Sequence, residues 1–443
     1  MKKGKTIDRE TVNKIYEAAN IVEVVSDFVN LKKSGEIYIG CCPFHNGETP
    51  SFTVLPAKNI YKCFGCLKGG NSVNFVMEHE QMSYREALVY LANKYHIEIN
   101  EQEVTPEERE FYLSRENMLA LNEFAKNTFA SYLIENVEGR AAGYKYLRGR
   151  VFHEDTIKTF ELGFGLSDRK ALTNFALKNG YRQKYLVDTG LSKLDDDYQI
   201  FDRFSNCVIF PVHNLKGKVI GFCGRVLNKD TKMLLKYKDS PQSTIYDKHR
   251  ALYGIYQAKT SIVHNDKCFL VEGCTDVLSL HQSGIENVVA SLGTALTIHQ
   301  IRLIKKFTNN ITLFYDGDAA GIHATLRAID MIFAEDMNAK VLPLPDDEDP
   351  DSFANKHIES EIEDYITKNE TDCLLFKTRL LLDGADNDPI KKANAISNIA
   401  TSISVIPADI KRTVYAIECA KLIGIDEKVL NNEIDKRQNK LNH

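Results

Sequence analysis

Apolar positions recur along the chain with more than one period, and the changes of period divide it. Between residues 7 and 30, Ile15, Ala18, Ala19, Val22 and Val25 fall at helical spacing, which predicts an amphipathic helical stretch ahead of a compact Gly-, Cys- and aromatic-rich unit ending near residue 80. Tyr84 to His96 predicts the helix that closes this unit. Residues 99–110, INEQEVTPEERE, are acidic and interrupted by one Pro, the pattern of an exposed linker or of the entry to the next helix. Short helices then precede two strand-like runs, CVIFPV (207–212) and KVIGFCG (218–224), joined through a turn at Asn214 to Lys218. That arrangement predicts a hairpin. From Cys268 onward CFLV, NVVAS, ITLFY and AKVLPL alternate with helical stretches, which predicts a parallel sheet covered by helices. Beyond residue 350 the helical period continues to the end.

Composition changes this picture little. At 443 residues with 43% hydrophobic residues and a net charge of −5, the chain has room for two to four domains, each with its own core. It contains no run of about 18 uncharged apolar residues, so no membrane span is expected. The start, MKKGKTIDRE, lacks an apolar stretch after its basic residues, so it does not read as a signal peptide. A cytoplasmic, reducing compartment is expected, with the ten cysteines as thiols or metal ligands. Charge is unevenly spread: residues 140–260 hold 22 Lys plus Arg against 12 Asp plus Glu. Such a block suits a polyanion-binding surface, although a solvated face has the same composition.

Candidate metal chemistry begins at Cys42, His45, Cys63 and Cys66. CPFH and, 17 residues later, CFGC are two ligand pairs, each with two intervening residues, which suits one tetrahedral Zn²⁺ with no open position and hence a structural role. Phe44, Phe52, Tyr61 and Phe64, interleaved with Lys58 and Lys62, read either as the minimal core of a small ribbon or as a stacking surface for single-stranded nucleic acid.

A second constellation lies where the strands of the expected parallel sheet end, which is where open α/β sheets carry their sites. Glu272 follows the first run, Asp316 and Asp318 the third, and Asp349 and Asp351 come just after the fourth. Gly273 and Gly317 are expected to permit the bends that turn these carboxylates inward. Five carboxylates brought together repel one another unless divalent cations neutralise them, and hard oxygen donors suit Mg²⁺ or Mn²⁺.

The segments VEGCTDV, ASLGTALT, FYDGDAAG and LPDDEDPDSF, with CPFHNGETPSF and YKCFGC, resemble the bacterial replicative DNA primases of the DnaG family over nearly the whole chain. The resemblance implies a multidomain α+β and α/β protein: a zinc-binding domain (1–105), a linker (106–115), a basic α+β subdomain (116–260), a Toprim subdomain with a Rossmann-like parallel sheet (261–350) and a helical bundle (351–443). It implies template-directed synthesis of short RNA primers from ribonucleoside triphosphates on single-stranded DNA. Glu272, Asp316 and Asp318 would be catalytic and would hold two or more Mg²⁺ or Mn²⁺ ions, with Asp349 and Asp351 completing the acidic site; Asp276, one helical turn after Glu272, matches a further acidic position that would orient this shell, or it caps its helix. YLRGR, DRFSNCVIFPV, GFCGRVL, KYKDSPQST and YDKHRALYG resemble the template and nucleotide groove, implicating Arg150, Arg203, Arg225, Lys236 and Lys248. Topoisomerases and nucleases also carry Toprim sheets, and a non-enzymatic zinc-ribbon module would explain the N-terminal unit alone. No GxxxxGK[ST] occurs, so no P-loop motor is expected. The replicative helicase is a partner by resemblance, but the chain is expected to stop before the domain that docks on it.

Overall fold

The computed structural model describes residues 5–44, 51–64, 68–80, 82, 84–103, 106–227, 236–292, 295–345, 348–385 and 388–441. The chain divides into two compact units, residues 1–113 and 114–443.

In the first unit the helical stretch expected over 7–30 is two helices, Arg9–Ala18 and Ile21–Ser26. Asn20 makes the break: its side chain accepts the amides of Val22 and Glu23 and caps the second helix, local bonding that competes with continuing the first. A five-stranded antiparallel sheet follows in sequence order, from Lys32–Ser34 to Gly69–Gly70. Its centre pairs Phe52–Leu55 with Ile60–Cys63, and helices Ser72–His79 and Tyr84–Lys94 complete the unit. Phe52 and Tyr61 stack at 5.2 Å, and Phe75 meets Tyr61 edge-on at 5.3 Å. Most of the aromatics between the metal-ligand pairs are therefore core.

The second unit is entered along the helix α1 (Pro106–Glu135). The segment 106–115, expected as a linker, is the start of this helix; a proline is tolerated in the first turn because its missing N–H has no intrahelical partner. An antiparallel sheet is built from β1 (Gly163–Gly165), β2 (Cys207–His213), β3 (Val219–Val226) and β4 (Tyr237–Asp239) in the order β4-β3-β2-β1. The expected hairpin is β2–β3. Its turn is closed by bonds of 2.9 Å from Asn214 N to Lys218 O and from Gly217 N to Asn214 O, with the left-handed φ of +76° that favours glycine at Gly217.

The parallel sheet comprises β5 (Cys268–Val271), β6 (Val288–Ala290), β7 (Asn310–Leu313) and β8 (Asn338–Val341). Interspersed helices are α2 (Cys274–Gln282) and α3 (Ala319–Ala334), followed by α4 (Pro350–Lys356). The strand order is β6-β5-β7-β8, and a short antiparallel β9 (Thr371–Asp372) closes the edge against β8. The sheet therefore runs past the boundary expected at 350; a two-residue strand leaves no alternation to detect. The two sheets share one core, in which Val208, Phe210 and Val212 of β2 pack with Phe269, Val271 and Phe314. The opposite face is covered by helices α5 (Cys373–Asp383), α6 (Pro389–Ser404), α7 (Asp409–Ile423) and α8 (Glu427–Leu441). Their buried Leu374, Ile399, Ile403 and Leu430 join Ile311, Leu313 and Ile329 in a second core.

Candidate active site

The strand ends of the parallel sheet bring Glu272, Asp316 and Asp318 together. Glu272 leaves β5 directly, and Asp316 follows β7 by three residues. Burial and the neighbouring Asp316 and Asp318 raise the proton affinity of Glu272 above the usual carboxylate range, against a lowering by Arg327. Burial with Asp349 and Asp318 does the same to Asp316. Among the described residues no hydrogen-bond donor meets either carboxylate. Mutual repulsion without donors is what divalent cations relieve, so this donor set fits hard ions.

Asp318 and Asp349 also act as helix caps. Asp318 accepts the Gly321 amide at 2.8 Å and starts α3; Asp349 accepts the Ser352 amide at 2.6 Å and starts α4. Each leaves a second carboxylate oxygen beyond its cap bond. Gly317 works by close approach: a Cβ there would lie 2.6 Å from the carbonyl of Pro345, and its amide donates to Glu348 O at 3.0 Å. This contact draws the loop carrying Asp349 against the one carrying Asp316. Gly273 has an extended backbone and makes no tight bend. The buried Asp276 accepts the Gly273 amide at 2.8 Å, and burial keeps its carboxyl strongly inclined to hold a proton. Of its two readings, the helix cap is the one seen.

Asp351 is placed differently. It is 5% exposed and accepts hydrogen bonds from Arg150, Ser279 and Asn355. Arg150 is thereby engaged in an ion pair inside the unit. Lys248 is paired too, with Asp239 at 2.7 Å. The reason is shared: a partly buried charge keeps its charge by finding a partner. Arg225, on β3, lies 4.9 Å from the ring of Tyr237, its register partner on β4. Tyr237, Asp239, Glu272, Asp276, Asp316 and Asp349 share a cavity of about 260 Å³. Lys236 is exposed at the start of β4.

Arg203, implicated by its own segment, belongs to a cationic group that no motif announced. Arg203, Lys238 and Arg169 all depress the proton affinity of Lys193, after burial, by like-charge repulsion. The ring of Phe201 lies 4.2 Å from Arg169 and 4.8 Å from Lys193. Arg203 itself donates to Gly190 O at 2.9 Å, and Lys238 to Arg203 O at 3.3 Å. No carboxylate forms an ion pair with these four cations among the described residues. Lys193 and Phe201 are register partners on two short antiparallel strands, Ser192–Leu194 and Ile200–Asp202, and cross-strand partners face the same side of a sheet. Arg327 was missed likewise; with Glu272, Ser291 and Tyr315 it lines a cavity of about 540 Å³.

In the first unit Cys42 and Cys63 are buried, Cys63 at the end of its strand opposite Phe52. The Phe44 amide approaches Cys42 Sγ at 3.4 Å, and Ser51 Oγ lies 3.5 Å from Cys63 Sγ. Donors aimed at sulfur suit metal-bound thiolates. His45 and Cys66 lie outside the described residues. Phe64 is 65% exposed, with Lys62 Nζ 6.0 Å from its ring.

Comparison with known proteins agrees with this geometry. Residues 7–107 match the CHC2 zinc finger family, 129–259 the N-terminal domain of the DNA primase catalytic core, and 269–354 the Toprim-like family. These families suggest a zinc ion for the zinc-finger region and a divalent metal for the Toprim region. Residues 376–428 match the DnaB-helicase binding domain of primase. This corrects the expectation that the docking part is absent: amphipathic spacing in α5 to α7 is the same whether a bundle ends a core or forms a docking module. The DNA primase of Halalkalibacterium halodurans is 34% identical over 429 residues, covering 96% of this chain and 71% of that protein. That of Clostridium acetobutylicum is 40% identical over 354 residues, covering 79% of this chain and 57% of its relative. Among solved structures, the zinc-binding and RNA polymerase domains of the Aquifex aeolicus primase superpose with a TM-score of 0.62 at 30% identity, over 95% of this chain and 98% of that one. A Pseudomonas aeruginosa DNA primase domain gives 0.65 at 28% identity, over 72% and 99%. The chain belongs to the DnaG family of DNA primases, the DNA-directed RNA polymerases that make RNA primers for DNA replication.

Proposed function

We propose that Glu272, Asp316 and Asp318 are the catalytic carboxylates of primer synthesis and hold two or more Mg²⁺ or Mn²⁺ ions, with Asp349 at the rim of the same cavity. The observation that carries this reading is the raised proton affinity of both Glu272, crowded by Asp316 and Asp318, and Asp316, crowded by Asp349 and Asp318, which no hydrogen-bond donor among the described residues relieves. Such cations, when bound, neutralise the triphosphate and acidify the attacking hydroxyl. Asp318 and Asp349, fixed by their caps, each keep one carboxylate oxygen free of its cap bond, and Asp349 lines the cavity. Glu272, with its raised proton affinity, is suited to take the proton of the primer's 3′-hydroxyl as it attacks the α-phosphate of the incoming ribonucleotide.

The single-stranded DNA template and the growing RNA are held by the basic face. Arg225, steadied on Tyr237, and the Arg169, Lys193, Arg203 and Lys238 group supply phosphate contacts, and exposed Lys236 adds to them. Arg150 and Lys248 act one step removed, by fixing Asp351 and Asp239. Asp351 is occupied by its three donors and is left out of the metal set. The single structural zinc takes Cys42, His45, Cys63 and Cys66, and presents Phe64 and Lys62 to unpaired bases. The enzyme works in the cytoplasm, beside its template and nucleotides.

The test is incubation of the purified protein with labelled ribonucleotides, single-stranded DNA of varied sequence and Mg²⁺. Short template-dependent RNA from the wild type and none from Asp316→Ala is expected. Strand cleavage without ribonucleotide incorporation would contradict the reading.

A further inference from the structure

A cavity of about 400 Å³ opens among three helical segments of the second unit: α1, the turn Arg140–Tyr144 and the short helix Glu154–Thr159. It shares no lining residue with the cavities at Glu272, and none with the cationic group around Phe201. Two glycines shape it. A Cβ on Gly139 would run into the carbonyl of Tyr132 in α1, and one on Gly143 would lie 2.6 Å from the ring of Phe164 in β1. These approaches press the segment against α1 and β1, and its backbone widens into a π turn, the i→i+5 form in which an extra residue is taken up. Arg140 and Tyr144, each one position after a glycine, line the cavity.

The lining combines an apolar floor with unevenly satisfied charges. Ile157 and Leu162 are buried there, Ala130 leaves space that a larger side chain would fill, and Ile134 is 48% exposed. Both carboxylates are already engaged. Glu161 accepts from Lys126 at 2.7 Å and lies 2.7 Å from His213 Nε2, and Glu154 accepts from the Tyr144 hydroxyl at 3.1 Å. Two cations are not. Among the described residues no carboxylate pairs with Arg140, and Lys158 approaches only Glu154, at 4.0 Å, with both side chains well exposed. Lys126, Arg140 and Lys158 against Glu154 and Glu161 leave one positive charge over.

We propose that this cavity is a binding site for a small amphipathic monoanion, a carboxylate on an apolar body of about the size of two fused rings. The body lies on Ile157 and Leu162 and covers Ile134, which removes apolar surface from water. The carboxylate takes the fork of Arg140 through two parallel N–H···O bonds, with Lys158 beside it. A phosphate dianion fits less well, because one spare positive charge does not offset two negative ones beside Glu154 and Glu161. A neutral ligand leaves the Arg140 fork unused.

The experiment titrates naphthoate into the full zinc-loaded chain by calorimetry, with naphthamide as the uncharged match, and repeats both on Arg140→Ala and Ala130→Trp. A cooperative thermal melt near that of the wild type shows that a variant is folded. The expected result is saturable one-to-one binding of naphthoate that single-stranded DNA does not displace. Binding should be at least tenfold weaker in Arg140→Ala, at least tenfold weaker for the amide, and absent in Ala130→Trp. If Ala130→Trp does not fold, Arg140→Ala and the comparison of acid with amide decide. No saturable binding, equal affinity in wild type and Arg140→Ala, equal affinity for acid and amide, or displacement by single-stranded DNA would overturn the proposal.

Discussion

Arg150 and Asp351, 201 positions apart in sequence, form an ion pair that ties the segment ahead of the antiparallel sheet to the first turn of α4, beside the loop that carries Asp349. Both residues read from sequence as substrate or metal contacts, yet each satisfies the other.

Breaking that pair should cost stability before it costs chemistry. Removing one partner of a buried pair strands the other charge; with the Arg150 side chain 32% exposed, solvent reduces the loss to about 2 kcal/mol. Urea denaturation of Arg150→Ala is expected to show that loss, with Mn²⁺ affinity retained. Unchanged stability together with weakened metal binding would return Asp351 to the metal set.

Glu161 provides a pH-dependent test away from the site. The hydrogen bond from His213, at 2.7 Å, and then Lys126 hold its carboxyl down to about 2, against an ordinary 4.5. A depressed carboxylate adds stability above its unfolded value and loses it as pH falls towards the folded one. Glu161→Gln should therefore be about 1 to 2 kcal/mol less stable at neutral pH, after allowance for solvent screening. The gap should close between pH 4.5 and about 2. A gap independent of pH would mean that packing, not charge, is lost.

The cationic group around Phe201 predicts a salt effect. Lys193→Ala and Arg169→Ala should each weaken single-stranded DNA binding regardless of base sequence, lowering the slope of log affinity against log salt by about 0.7 for each phosphate no longer neutralised. Fluorescence anisotropy at several salt concentrations measures it. Unchanged slopes would remove these residues from the template path.

Charge crowding at the acids makes an opposite prediction for the metal-free protein. Glu272 and Asp316 have raised proton affinity when folded, so their penalty is absent below the unfolded values near 4 and grows as pH rises past them. Metal-free Asp316→Asn should be more stable than wild type at neutral pH, by on the order of 1 kcal/mol. Added Mn²⁺ should reverse that order, because only the intact site gains binding energy on folding. A thermal melt with and without the ion decides.

The part of the site that sequence made legible is the part whose chemistry dictates residue type at a strand end. Glu272, Asp316 and Asp318 could be proposed because apolar runs locate strand ends, and acids after three such runs, the last carrying Asp349 and Asp351, ask for a common explanation. Contacts made only in three dimensions were not legible. Asp351 has the same local pattern as Asp349, and only the fold shows that Arg150 and Ser279 reach it. Arg203 was implicated by its own segment, but Arg169, Lys193 and Lys238 lie on separate elements with no spacing to betray that they join it. Among the aromatics of the ribbon, composition left core and stacking surface open; packing assigns Phe52 and Tyr61 to the core and leaves Phe64 outside.

The central claim is that three carboxylates from two strand ends hold divalent cations. Titration of Mn²⁺ into zinc-loaded wild type and Asp316→Asn, followed by electron paramagnetic resonance, tests it most directly, with single-stranded DNA affinity as the check on folding. At least a tenfold loss of Mn²⁺ affinity with DNA binding retained is predicted. Equal Mn²⁺ affinity in the two proteins would contradict it.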